Sequence, residues 1–192
     1  FNLSHCNGLV VLALSRRWQL GVDAEHAGGP GGLDVGLLAE ECLSPKERLW
    51  LGGVSDAERT ERFIELWTLK ESYIKALGLG LRARLADCAF DLTLPGRINF
   101  TDWTALAGPP NLWRFLQWSF LGFRIALARQ CPKGNSEPEG AAEEPPSIFT
   151  IDVGEGVAPA NLELLRSGYS CSAQESVRKC AFRPILTAVP ES

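Results

Sequence analysis

Trp67-Thr68-Leu69-Lys70-Glu71-Ser72-Tyr73-Ile74-Lys75-Ala76-Leu77-Gly78 is the stretch that decides the fold. Set on a helix at about 100° per residue, Phe63, Leu66, Trp67, Tyr73, Ile74 and Leu77 fall on one apolar face. Lys70 lands in the middle of that face. Glu71 and Lys75 stand four residues apart at its edge, one turn above the other. A lysine is seldom buried without a partner. Lys70 therefore snorkels, aims its charge along a cleft, or pairs it.

Upstream, Ser55-Asp56-Ala57-Glu58 has the pattern of a capping box and starts this long helix, which Gly78 stops. Ser44-Pro45-Lys46-Glu47 is another such box, with proline at the first helical position. It predicts a short helix to about Leu51, ended by Gly52-Gly53. Leu33 to Leu43 reads as a further helix, and His26 to Gly32 as a surface loop. That loop lacks the glycine and lysine spacing of a phosphate loop.

Residues 1–25 read as two strands. Leu9 to Leu14 is a short apolar, β-branched run, and Trp18 to Glu25 alternates and ends in Gly21-Val22-Asp23-Ala24-Glu25. On a strand Asp23 and Glu25 point to the same face. Two carboxylates there either face solvent or share a hard divalent cation. Asn2-Leu3-Ser4-His5 precedes the first strand, where Ser4 and His5 are solvated, structural, or hydrogen-bond donors to a phosphate. After the long helix come strand-like runs at Cys88 to Leu94, Arg97 to Phe100, Leu112 to Phe120 and Phe123 to Ala128. Trp113, Phe115 and Trp118 read as sheet core rather than a base-stacking platform, because the region is not basic.

A net charge of −4 argues against bulk nucleic-acid binding. No apolar run is long enough for a membrane-spanning helix, so no membrane partner is expected. Cys6, Cys42, Cys88, Cys131, Cys171 and Cys180 have no metal-type spacing and read as reduced thiols of an intracellular protein. The chain contains no methionine, so we expect a processed product or a fragment. From Cys131 the composition turns rich in Glu, Pro, Gly and Ser, which predicts a linker and a poorly ordered tail over 131–192.

Taken together, Asn2-Leu3-Ser4-His5, Gly21-Val22-Asp23-Ala24-Glu25 and Trp67 through Gly80 resemble the Sfp-type 4′-phosphopantetheinyl transferases. That family carries N-x-S-H, then G-[VI]-D-x-E, then W-[ST]-x-K-E-[SA]-x-x-K-x-x-G-x-G, in this order and spacing. The resemblance covers roughly residues 1–130. It implies an α+β fold, a phosphopantetheinyl transferase-like lobe with an antiparallel sheet packed against a long helix, followed by a disordered C-terminal tail. Residues 1–17 would end a first lobe that is mostly missing here, an N-terminal truncation, and 18–130 would form the second lobe.

The resemblance also implies a reaction. Phosphopantetheine passes from coenzyme A to a serine of an acyl or peptidyl carrier protein, with Mg²⁺ as cofactor and adenosine 3′,5′-bisphosphate as the leaving product. Asp23, Glu25 and Glu71 would be the metal ligands. Glu71 would be the general base and Lys75 would face the leaving phosphate. Ser4, His5, Lys70 and Lys75 would hold coenzyme A, with fixing the helix against the sheet as the other role for Lys70. Arg82 and Arg84 would meet the acidic carrier. The complete protein would be monomeric and cytoplasmic, with an organelle as the alternative compartment. Two rival readings are a catalytically incomplete lobe that only binds coenzyme A or a carrier, and a Mg²⁺-dependent pyrophosphate hydrolase.

Overall fold

The computed structural model describes residues 1–16, 18–29, 34–80, 83–104, 108–130 and 147–152. Its centre is α3 (Asp56–Leu77), which begins after Ser55 and ends at Gly78 in a left-handed conformation with φ +68°. Ser55 does not cap a backbone N–H; its hydroxyl donates to Glu58 Oε2 at 2.7 Å, so the box closes between side chains. Two short helices precede it, α1 (Val35–Cys42), capped by Asp34, and α2 (Pro45–Gly52). The α2 capping box forms as its sequence predicts, with Ser44 and Glu47 each accepting from the other's backbone N–H.

Among the described residues the strands make three antiparallel sheets. β3 (Leu20–His26), β7 (Phe123–Gln130) and β6 (Trp113–Phe120) run in the order β3-β7-β6. β1 (Asn2–Cys6) and β2 (Leu9–Leu14) form a second sheet with β8 (Ser147–Asp152), and β4 (Cys88–Asp91) pairs with β5 (Asn99–Asp102). The fold is thus α+β, as the sequence implies.

The β3-β7-β6 sheet is buried on both faces. On one face Val22, Ala24, Ile125 and Leu127 meet Leu9, Val11 and Ala13. On the other, Ala126 and Ala128 join Leu66, Leu69, Tyr73 and Trp113 beneath α3. Gly21 stands opposite Ala128, and Asp23 opposite Ala126. Small residues at 21, 126 and 128 let the helix lie close to the sheet. Tyr73 closes the far end, with ring centroids 4.7 Å from Phe100 and 4.8 Å from Trp113.

Two readings of the sequence are corrected here. Asn2–Cys6 is itself a strand, so the first 26 residues contribute three strands rather than two. The signal was Asn7-Gly8, a two-residue hairpin turn with Gly8 at φ +93°, since Cys6 pairs with Leu9. Within the expected linker and tail, Ser147–Asp152 forms β8 and pairs with Leu9–Leu14. Ile148, Phe149, Thr150 and Ile151 are residues of strand-forming type. The rest of 131–192, with Cys131, Cys171 and Cys180, lies outside the described residues, as does Arg82. Cys6, Cys42 and Cys88 are free thiols. No helix among the described residues is long and apolar enough to cross a membrane.

Candidate active site between the first strands and the long helix

Gly21 determines how closely β3 and α3 meet. A Cβ at this position would lie 2.1 Å from the Ser72 carbonyl oxygen and 2.3 Å from the Ala76 nitrogen. Only glycine permits that approach. The strand that starts on this contact carries Asp23 and Glu25 along the helix, where Glu71 and Lys75 stand one turn apart.

The other edge of β3 is met by side chains. Among the described residues β3 pairs with β7 alone, so its outward N–H groups need partners from elsewhere. Asn2 Oδ1 accepts from Val22 N–H at 2.9 Å, and Ser4 Oγ accepts from Ala24 N–H at 3.2 Å. Asn2 and Ser4 share one face of β1 with the same two-residue repeat as Val22 and Ala24, so β1 reads the β3 edge with side chains.

At this junction Asp23 is 4% exposed. Its Oδ1 accepts from Lys75 Nζ at 2.6 Å and from Ser4 Oγ at 3.0 Å. Lys75 Nζ also donates to Ser4 Oγ at 2.9 Å. A serine hydroxyl has one donor and two acceptor sites. Ser4 spends all three, on Asp23, Lys75 and Ala24. Asp23 Oδ2, by contrast, is buried with no hydrogen-bond partner.

Charge accumulates around that oxygen. Burial raises the Asp23 carboxyl above the ordinary range, opposed by Lys75 and Ser4. Glu25 is raised by burial, then by the charges of Asp23 and Glu71, with Lys75 opposing. Glu71 is raised by burial and by Asp23, again against Lys75. The Cys6 thiol, on the Ser4 face of β1, is pushed up to about 11 by burial and by the charges of Glu25 and Asp23. Among the described residues, three carboxylates thus share one neighbourhood with the Lys75 ammonium.

The donor chemistry suits a hard cation: three carboxylates, each with its charged form disfavoured, and one buried oxygen without a partner. Among the described residues no three histidine, cysteine, aspartate or glutamate side chains are already drawn into a ligand cluster. Lys75 is the group that sits on Asp23.

Two expected coenzyme A contacts lie elsewhere. Lys70 is fully buried, and its Nζ donates to Glu47 Oε2 at 2.9 Å, Leu85 O at 2.8 Å and Cys88 O at 2.5 Å. An ammonium has three donors, and these partners use them all. Lys70 therefore fixes α3 against α2 and β4 and is not available to a phosphate, which corrects its assignment to cofactor binding. Helical geometry gives the reason: five residues from Lys75, it points well away from it. His5 is exposed on β1, on the opposite side of the strand from Ser4. The structure does not bring His5 into the cluster. Arg84 is exposed, just before the 3₁₀ turn Leu85–Asp87.

Asn2 is a site residue to which the sequence assigns no role. Its signal was the spacing N-x-S, which places two hydrogen-bonding side chains on one face of a strand.

A family model described as the 4′-phosphopantetheinyl transferase superfamily matches residues 19–128. The chain is 38% identical over 81 residues to the 4′-phosphopantetheinyl transferase gsp of Aneurinibacillus migulanus, covering 42% of this chain and 32% of that one. It is 34% identical over 93 residues to the 4′-phosphopantetheinyl transferase HetI of a Nostoc species, covering 48% and 38%. It thus spans about a third of the length of these relatives. The crystal structure of the Thermotoga maritima holo-[acyl-carrier-protein] synthase aligns with a TM-score of 0.47 at 22% identity, over 59% of this chain and 63% of that one.

Proposed function

The chain belongs to the 4′-phosphopantetheinyl transferase superfamily, and on that premise we propose that it works in the transfer of 4′-phosphopantetheine from coenzyme A to a serine of an acyl or peptidyl carrier protein. The observation that carries the reading is the Asp23–Lys75–Ser4 junction, with its buried unpartnered Asp23 Oδ2 and with Glu25 and Glu71 beside it. The donor substrate carries a pyrophosphate, and the acceptor is an alcohol. The carrier serine Oγ forms a new bond to the phosphorus that bears the pantetheine, the bridging P–O bond breaks, and adenosine 3′,5′-bisphosphate departs with the electron pair.

Each residue has a task. Glu71 accepts the serine proton. Lys75 has three donors and spends two, on Asp23 and Ser4, so the third meets the developing charge on the leaving phosphate. Asp23, Glu25 and Glu71 would hold Mg²⁺, which when bound neutralises charge on the pyrophosphate oxygens. Ser4 keeps Asp23 and Lys75 oriented.

The test is mass spectrometry of an apo carrier protein incubated with this chain, coenzyme A and Mg²⁺, with a metal-free control. A metal-dependent gain of the phosphopantetheine mass supports the reading. Formation of free 4′-phosphopantetheine and adenosine 3′,5′-bisphosphate without carrier would replace it with pyrophosphate hydrolysis. Binding of coenzyme A or carrier with no mass gain, from this chain and from a longer chain matching its relatives' length, would replace it with a non-catalytic lobe.

A further inference from the structure

We infer that Asn2 is a positioning residue for the site: its side-chain carbonyl, seated on Val22 N–H, sets the alignment of β1 and β3 at which Ser4 bridges Asp23 and Lys75. The inference rests on the reading of this junction as the active site.

β1 lacks a backbone partner on the β3 side among the described residues. Among the described residues it pairs by backbone with β2, and β2 packs Leu9, Val11 and Ala13 against β3 without joining its sheet, so no backbone ladder sets the register of β1 along β3. Side chains of β1 instead take two backbone N–H groups of β3, Val22 by Asn2 and Ala24 by Ser4, bracketing Asp23, to which Ser4 also donates. The two are not equivalent. Ser4 bonds Ala24 at 3.2 Å with an oxygen already shared with Lys75 and Asp23. Asn2 makes the shorter bond, 2.9 Å, with an oxygen for which no other partner is seen among the described residues. Without Asn2 the remaining hydrogen bonds from β1 to β3 would both run through the very hydroxyl whose placement matters. A one-point contact permits rotation, and a two-point contact does not. Asn2 thus acts through Val22 and Ser4 and need not touch substrate or metal.

The experiment separates this role from plain structural support. Asn2→Leu keeps the volume and removes the acceptor. Asn2→Asp keeps the acceptor. Asn2→Ala removes both and serves if Asn2→Leu does not fold. In each background of the full chain, the coupling between Asp23 and Lys75 is measured by a double-mutant cycle with Asp23→Asn and Lys75→Met, read from urea unfolding. The charge added by Asn2→Asp enters all four corners of its cycle alike.

The expected result is that the coupling found in the wild type disappears in Asn2→Leu and Asn2→Ala and survives in Asn2→Asp. Mg²⁺ titrated by calorimetry should bind about tenfold more weakly to Asn2→Leu, the scale of a lost supporting contact at a metal site. Undiminished coupling in Asn2→Leu and Asn2→Ala, even with lower stability, overturns the inference, since support alone would then explain the residue. So does a wild type with no coupling, and so does failure of Asn2→Asp to retain it. A wild type that shows the coupling and binds no Mg²⁺ removes the metal reading and leaves the cycle to decide the role of Asn2.

Discussion

Two lysines five residues apart on one helix meet opposite fates. Lys70 is sealed between α2, α3 and β4, with every donor used and its partner Glu47 equally satisfied. Glu47 Oε2 accepts from Lys70 and from Ser44 N–H, and Oε1 accepts from Phe90 N–H at 2.8 Å. Lys75 is partly open and meets a carboxylate with one oxygen bonded and the other bare. A saturated charge cluster can only hold the fold, because any new ligand must first break a bond already made. An unsaturated one stores demand that a ligand can meet. On the proposed reading, completeness of hydrogen bonding, together with burial, separates the structural node from the chemical one.

The largest effect expected from breaking this contrast lies at the sealed node. Lys70→Ala leaves Glu47 buried without its counter-charge and should cost about 3–5 kcal/mol in urea unfolding. The pair Lys70→Met with Glu47→Leu should recover most of that loss. A small cost for Lys70→Ala alone would mean that the node is not sealed. Next comes Gly21→Ala. Its Cβ meets helix backbone, which cannot turn aside as a side chain can, so the strand and helix must part, at about 1–3 kcal/mol. Mg²⁺ binding should fall with it. Unfolding curves and a Mg²⁺ titration on the same sample check both.

The open node should respond to pH in the opposite sense to an ordinary salt-bridged carboxylate. Glu25 and Glu71 hold their protons more tightly in the folded state than in the unfolded chain. Between the ordinary glutamate range and their raised values the folded state binds more protons, so stability falls as pH rises through that window. Thermal melts across it should show this decline. It should flatten in the Glu25→Gln and Glu71→Gln chains, and a rise in stability with pH in the wild type would contradict the cluster. The smallest stability effect is expected for Lys75→Ala, at most about 1 kcal/mol, because the ammonium is partly exposed and its pair is partly screened. In the transfer assay that variant should slow turnover more than it weakens coenzyme A binding. An effect on binding alone would remove its leaving-group role.

Local features were legible in the sequence because their causes are local. Ser44 and Glu47 cap α2 within one turn, Gly78 stops α3, and Gly21 through Glu25 lies on a strand as its alternation requires. The pairing of Lys70 was open in the sequence, since its partner Glu47 lies in a different helix and already had a local explanation as a cap. Gly21 reads as one small residue in a motif until the helix backbone is set against it. The role of Ser4 was hidden because the sequence does not show that Lys75 and Ala24 would claim its lone pairs. β8 was missed because its few strand-forming residues follow a long polar stretch.

We propose that the chemistry sits at the Lys75 node and not at the Lys70 node. Calorimetric titration of Mg²⁺ into three chains tests it most directly: wild type, Asp23→Ala, and Lys70→Met paired with Glu47→Leu. Binding should be seen in the wild type, be kept in the Lys70–Glu47 replacement, and be lost in a folded Asp23→Ala chain. Equal binding by Asp23→Ala, or its loss in a folded Lys70–Glu47 replacement, would contradict the account.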